Sequence, residues 1–64
     1  QRVLQAAFEK LPVEQRAVIV MKEYQGLKFR EISEILSVPL STVKSRLYLG
    51  LKTLKGLVEK SYDL

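Results

Sequence analysis

The side chains best suited to chemistry cluster between positions 41 and 52. Ser41, Thr42, Lys44, Ser45, Arg46, Tyr48 and Lys52 all fall there. Hydroxyls can donate to or accept from base edges and phosphates, and lysine and arginine can neutralise phosphates or bond guanine. This is recognition chemistry, and the means for covalent chemistry are poor. The chain has no histidine and no cysteine, so the commonest general base, the thiolate nucleophile and most transition-metal ligands are missing. Its seven acids are dispersed rather than clustered. No metal, cofactor or small-molecule substrate is expected, and an enzyme is disfavoured.

These residues need a rigid support, and the surrounding pattern supplies one. At about 100° per residue on a helix, Ser41, Ser45, Tyr48 and Lys52 share one side, with Lys44 and Arg46 flanking it. Val43, Leu47, Leu54 and Val58 share the other. A helix from about Leu40 to Glu59 would therefore turn polar groups out and leucines in. Before it, Lys28 to Leu36 forms a shorter helix with Phe29, Ile32, Ile35 and Leu36 spaced for one apolar side. Ser37-Val38-Pro39 breaks the two apart, because Pro39 biases Val38 away from helical angles. Two helices joined by a tight turn, the second polar and basic outward, is the shape of a helix-turn-helix. In that motif the second helix enters the major groove of DNA. The same residues also describe the solvated face of an ordinary helical bundle, so pattern alone leaves both readings open.

Charge placement shifts the balance toward the first. The 64 residues carry a net charge of +4. Residues 1–39 balance to +1, residues 40–60 to +4, and Asp63 subtracts one. The excess sits on the proposed recognition helix, which favours a polyanionic partner.

The remaining elements complete an all-α, four-helix domain. Residues 1–11 make an amphipathic helix with Val3, Leu4, Ala7, Phe8 and Leu11 inward and Gln1, Arg2, Gln5, Glu9 and Lys10 outward. Pro12 ends it and opens a second helix, Val13 to Gln25. There Val13, Ala17, Val20, Met21 and Tyr24 make the inner stripe, Val18 widens it, and Ile19 falls to the other side. If Ile19 met Val3 or Phe8 in one patch, that patch could dock another protein. Gly26 terminates the helix by taking a left-handed backbone. Lys28 caps the third helix poorly, and a phosphate held by Lys28 and Arg30 could serve instead of water. Ser33 is small enough to let helices approach closely. Gly50 lies on the inner stripe of the last helix and suggests close packing, whereas Gly56 lies outward. Residues 61–64 read as a tail.

A chain this short makes one domain with a small core. No apolar run approaches the roughly 20 residues that span a bilayer, and no signal peptide is evident. A cytoplasmic protein without membrane contact is expected. The chain begins in what reads as the middle of a helix without Met, which suggests the C-terminal domain of a longer protein.

The stretch LPVEQRAVIVMKEYQGLKFREISEILSVPLSTVKSRL resembles region 4 of bacterial sigma-70-family transcription initiation factors, nearest the extracytoplasmic-function group. The shared pieces are the Leu-Pro-x-x-x-Arg-x-Val block, the Tyr-x-Gly-Leu link, the Glu-Ile-x-Glu-Ile-Leu helix and the Ser-Thr-Val-Lys-Ser-Arg-Leu segment. The response-regulator helix-turn-helix group shares some of them and is the alternative. The resemblance implies binding to the −35 promoter element and docking on the flap of the RNA polymerase beta subunit. It also implies an anti-sigma factor as a partner, since members of the group are commonly silenced that way. By position it implies DNA contacts from Ser41, Thr42, Lys44, Ser45, Arg46 and Tyr48.

The chain departs from that pattern in three places. The family often continues as Leu-Tyr-Arg-Ala-Arg, where this chain has Leu47-Tyr48-Leu49-Gly50-Leu51. Each lost phosphate contact removes about 0.9 from the salt slope of binding, so binding should be weaker and less salt-sensitive than is usual. Leu49 could instead touch a thymine methyl. Lys28 stands where the family usually has serine or threonine, and Ser37 where it often has glycine. The leucines also motivate a rival reading, a protein-docking module with little DNA binding.

Overall fold

Two residues with left-handed backbone divide the chain and set the angles between its helices. Gly26 has φ +68° and Ser37 has φ +56°. The computed structural model describes residues 2–62. In it α1 spans Arg2–Glu9, α2 spans Val13–Ile19 and runs on as a π-helical turn over Val20–Tyr24, α3 spans Phe29–Leu36 and α4 spans Leu40–Tyr62. The all-α, four-helix expectation agrees with this order. Gln1, Asp63 and Leu64, which the sequence reading placed at the water-facing start and in the tail, lie outside the described residues.

α1 is shorter than its periodicity suggests. Leu11 lies past its end yet is 4% exposed, because the chain turns there and drops the side chain into the core. Pro12 takes φ −55° with an extended ψ of 143°, and its carbonyl accepts the N–H of Gln15 and of Arg16. The Arg16 guanidinium reaches back to donate to the Glu9 carbonyl at 3.2 Å. A cation thus satisfies the negative end of α1 and fixes α1 against α2. Glu14 lies in the first turn of α2, where the dipole favours it.

The inner face of α2 is a correction. Val18 and Ile19 are 0% and 3% exposed, while Val13 and Tyr24, expected inside, are 62% and 73% exposed. Apolar residues occupy nearly every direction of this helix, so periodicity alone leaves its orientation undecided. Packing against α4 decides it. Gly50 lets α4 approach so closely that a Cβ there would lie 3.0 Å from Ile19 Cδ1 and 3.1 Å from Gln15 Cβ. The close packing inferred for Gly50 is borne out, and Ile19 is the residue that fills the space. The π-helical turn is a second departure from a regular helix. The Gln25 N–H bonds the Val20 carbonyl five residues back, and the Leu27 N–H bonds Met21 across Gly26. Widening this turn shifts the register of everything after Ile19.

α3 is also more one-sided than expected. Ile32 is 0% exposed, but Ile35 is 58% exposed and outside the core. The apolar stripe narrows because α3 meets mainly α4, with Phe29 and Leu36 half-buried against the central cluster. At its start, the Lys28 N–H donates to Glu31 Oε1 at 2.8 Å, half of a capping box.

The turn into α4 is held by three hydrogen bonds. The Ser37 N–H bonds the Glu34 carbonyl at 3.3 Å and the Val38 N–H bonds the Ser33 carbonyl at 3.1 Å, the bonds of a Schellman motif. The Ser33 hydroxyl then donates to the Val38 carbonyl at 2.6 Å. Ser33 therefore pins both polar groups of Val38, a more specific role than allowing close approach. Ser37 occupies the left-handed position at a cost of about 1–2 kcal/mol for an L-residue. Ser37→Gly is expected to raise stability by about 0.5–1 kcal/mol, the remainder being offset by glycine's looser unfolded chain. A urea midpoint that falls in this variant would contradict that account.

α4 dominates the shape. Its 23 residues run about 34 Å at 1.5 Å each, and the molecule measures 41 × 19 × 15 Å. The other three helices pack along one side of it. Ser61 and Tyr62, read as tail, belong to this helix, with the Ser61 hydroxyl bonding the Leu57 carbonyl at 3.0 Å. Gly56 faces open space, with nothing within 4 Å of an added Cβ. The two helical glycines therefore predict opposite responses to one methyl group. Gly56→Ala should add about 1 kcal/mol through helix propensity. Gly50→Ala should gain nothing net, because crowding Ile19 and Gln15 costs roughly 1–3 kcal/mol against the same propensity. Equal stabilisation of both variants in thermal unfolding would mean that the α2–α4 contact yields freely.

Candidate nucleic-acid interface

The partition of α4 is the central feature. Val43 is 0% and Leu47 8% exposed, and Gly50 is buried with them against Leu11, Val18, Ile19 and Ile32. On the reverse side Ser41, Lys44, Ser45, Tyr48, Leu49 and Lys52 are exposed, while Thr42 and Arg46 are half-buried along the flank. Tyr48 is 75% and Leu49 52% exposed, which places an aromatic and an aliphatic group among the hydroxyls and cations. The Pro39 carbonyl accepts the N–H groups of Thr42 and Val43 at 3.0 and 3.2 Å. The first turn is thus fully helical where Ser41 and Thr42 project.

Lys28 and Arg30 are exposed at the start of α3, on either side of Phe29. Glu31 already supplies a negative group beside this helix end, so any phosphate contact here rests on the two cations more than on the dipole. Phe29 draws in two further cations. Lys22 Nζ lies 4.5 Å and Lys44 Nζ 5.7 Å from its ring centroid. Lys22 was not among the sequence candidates. It lies 22 positions before Lys44, in a helix whose pattern says nothing about α3, so no local signal could have connected them.

A second surface lies across α1, the π-helical turn and α4. Leu4, Phe8, Ile19, Tyr24, Leu51 and Leu54 line an open apolar groove of about 450 Å³. Ile19 and Phe8 both line this groove, but Ile19 is 3% exposed and forms its floor, so the exposed Ile19 that the docking reading assumed is not found. Among the described residues no group of acids could hold a metal ion, and no helix is long and apolar enough to cross a membrane.

The sequence profile for Sigma-70, region 4 matches residues 1–54. The chain belongs to the sigma-70 region 4 family. The profile covers every element described above except the last turns of α4. Similar proteins include the ECF RNA polymerase sigma factor SigE of Mycolicibacterium smegmatis, 42% identical over 57 residues, which cover 89% of this chain and 22% of that protein. The ECF RNA polymerase sigma factor SigW of Bacillus subtilis is 42% identical over 52 residues, 81% of this chain and 28% of that protein. The ECF RNA polymerase sigma-E factor of Escherichia coli is 29% identical over 59 residues, 92% of this chain and 31% of that protein. The chain therefore spans less than a third of the length of these relatives. Membership in region 4, with relatives in the extracytoplasmic-function group, sets aside the response-regulator alternative. It also sets aside the enzyme reading, since sigma-70 region 4 is a non-catalytic domain.

Within the region 4 fold, the replaced arginine positions have distinct surroundings. Leu49 stands on the exposed side of α4 with Tyr48, whereas Leu51, 40% exposed, is part of the apolar groove.

Proposed function

We propose that this domain recognises the −35 element of promoters through α4 and docks on the flap of the RNA polymerase beta subunit, acting in transcription initiation. The observation that carries the reading is the division of α4, with Ser41, Lys44, Ser45 and Tyr48 outward and Val43, Leu47 and Gly50 inward. A helix so divided can enter a major groove without exposing the core. Ser41, Thr42, Lys44, Ser45 and Arg46 would reach base edges or phosphates, Leu49 a thymine methyl, and Lys52, Lys28 and Arg30 the backbone. The groove lined by Leu4, Phe8, Tyr24 and Leu51 is the surface best suited to an apolar segment such as the flap, and an anti-sigma factor would compete for either face. The reading places the chain in the cytoplasm, as the C-terminal domain of a longer factor in which linkage to another domain raises its effective concentration.

Selection from a pool of randomised duplexes tests the DNA half of this proposal. Enrichment of one short motif is expected, with a shallow salt dependence for want of arginines at 49 and 51. A pool that stays random while a flap fragment still binds would leave the rival reading, a protein-docking module. That reading draws its support from Leu51, which lines the groove where the family often has arginine.

A further inference from the structure

Phe29 lies where three elements meet. It opens α3, its ring packs on the central apolar cluster, and the ammonium groups of Lys22 and Lys44 both stand over it, at 4.5 and 5.7 Å from the centroid. A cation within about 6 Å of a ring centroid is attracted by the ring's quadrupole. Neither lysine has a carboxylate partner among the described residues. The aromatic ring is therefore the principal restraint on Lys44, which is otherwise a flexible chain on an exposed helix face.

We infer that Phe29 is a positioning residue for DNA binding, holding the Lys44 ammonium at the α3–α4 junction before the duplex arrives. The inference rests on the proposed reading of Lys44 as a DNA contact. A free lysine loses rotamer freedom when it is fixed on a phosphate or a base. A ring already anchored by core packing removes part of that loss in the unbound protein, so the contact forms from a narrower set of conformers. Two like charges over one ring also repel each other, and without a carboxylate partner among the described residues the pair favours an external anion.

Three variants test this. Phe29→Leu keeps an apolar side chain against the core and removes the quadrupole, Phe29→Tyr keeps both, and Lys44→Met removes the cation. In the folded parent, without DNA, the Lys44 ε-methylene protons should show a ring-current shift that persists in Phe29→Tyr and disappears in Phe29→Leu. On the duplex selected by the parent, Phe29→Leu should bind about two- to fivefold more weakly, the scale of a solvent-accessible cation–π contact. Phe29→Tyr should restore parental binding, and in a Lys44→Met background Phe29→Leu should have no further effect. If the parent selects no duplex, the DNA reading falls and this inference with it. If the parent selects a duplex but the shift is missing, or the Phe29→Leu loss is the same with and without Lys44, the inference alone falls. The shift measurement needs only the parent, so it decides even if Phe29→Leu proves poorly folded.

Discussion

Ile32→Ala is expected to lose about 2–5 kcal/mol of stability, the usual cost of truncating a fully buried isoleucine. Ile32 is 0% exposed and lies in the cluster with Leu11, Val18, Ile19, Val43 and Leu47. A domain of this size has little to spare, since net stability runs at roughly 0.05–0.15 kcal/mol per residue. The variant should be largely unfolded near its working temperature. Ile35→Ala is the control within the same helix. Ile35 is 58% exposed, so its truncation should stay within about 0.5 kcal/mol. Urea unfolding of the two variants separates them by midpoint. Similar midpoints would mean that α3 presents a different face to α4.

The second large effect is on binding. Lys44→Ala and Arg46→Ala should each weaken binding to the selected duplex by about 1–3 kcal/mol where the side chain makes a bidentate base contact. The two modes of contact leave different signatures. Loss of a base contact lowers affinity for the selected duplex more than for a scrambled one, and relaxes preference at one position. Loss of a phosphate contact weakens both alike and flattens the salt slope by about 0.9. Lys44 is exposed and Arg46 is half-buried on the flank, so truncation of Arg46 also removes some packing of its aliphatic stem. Circular dichroism should show both variants folded, because neither head group belongs to the core. Binding of cognate and scrambled duplexes at parental strength by both variants would defeat the promoter-recognition proposal.

The helix-turn-helix was legible in the sequence because its signals are local. Pro39 biases Val38 away from helical angles, and Gly26 is suited to the left-handed backbone that it takes; Ser37 takes the same backbone without a comparable signal in its residue type. Val43, Leu47, Leu54 and Val58 keep to one side of α4 and Ser41, Ser45, Tyr48 and Lys52 to the other, so one periodicity orients the helix even though Leu49 and Leu51 fall outside the inner stripe. The core residues Val43 and Leu47, the contact at Gly50 and the outward Gly56 all follow from that register. Motif order also carried the family resemblance, which the match over residues 1–54 agrees with.

What tertiary structure alone decided lies where local pattern is degenerate or blind. Residues 13–21 are apolar in most directions, so the side of α2 that is buried was chosen by α4, whose backbone at Gly50 leaves room for Ile19. Ile35 fits the α3 stripe by spacing but is 58% exposed in the fold. Ser33 looks like a surface serine until the chain reverses and brings Val38 to its hydroxyl. Lys22 and Lys44 meet over Phe29 only because the fold closes three elements on one ring. Periodicity reports which sides of a helix can be buried. Which of them is buried, and which distant side chains then become neighbours, depends on contacts between segments that the local pattern does not encode.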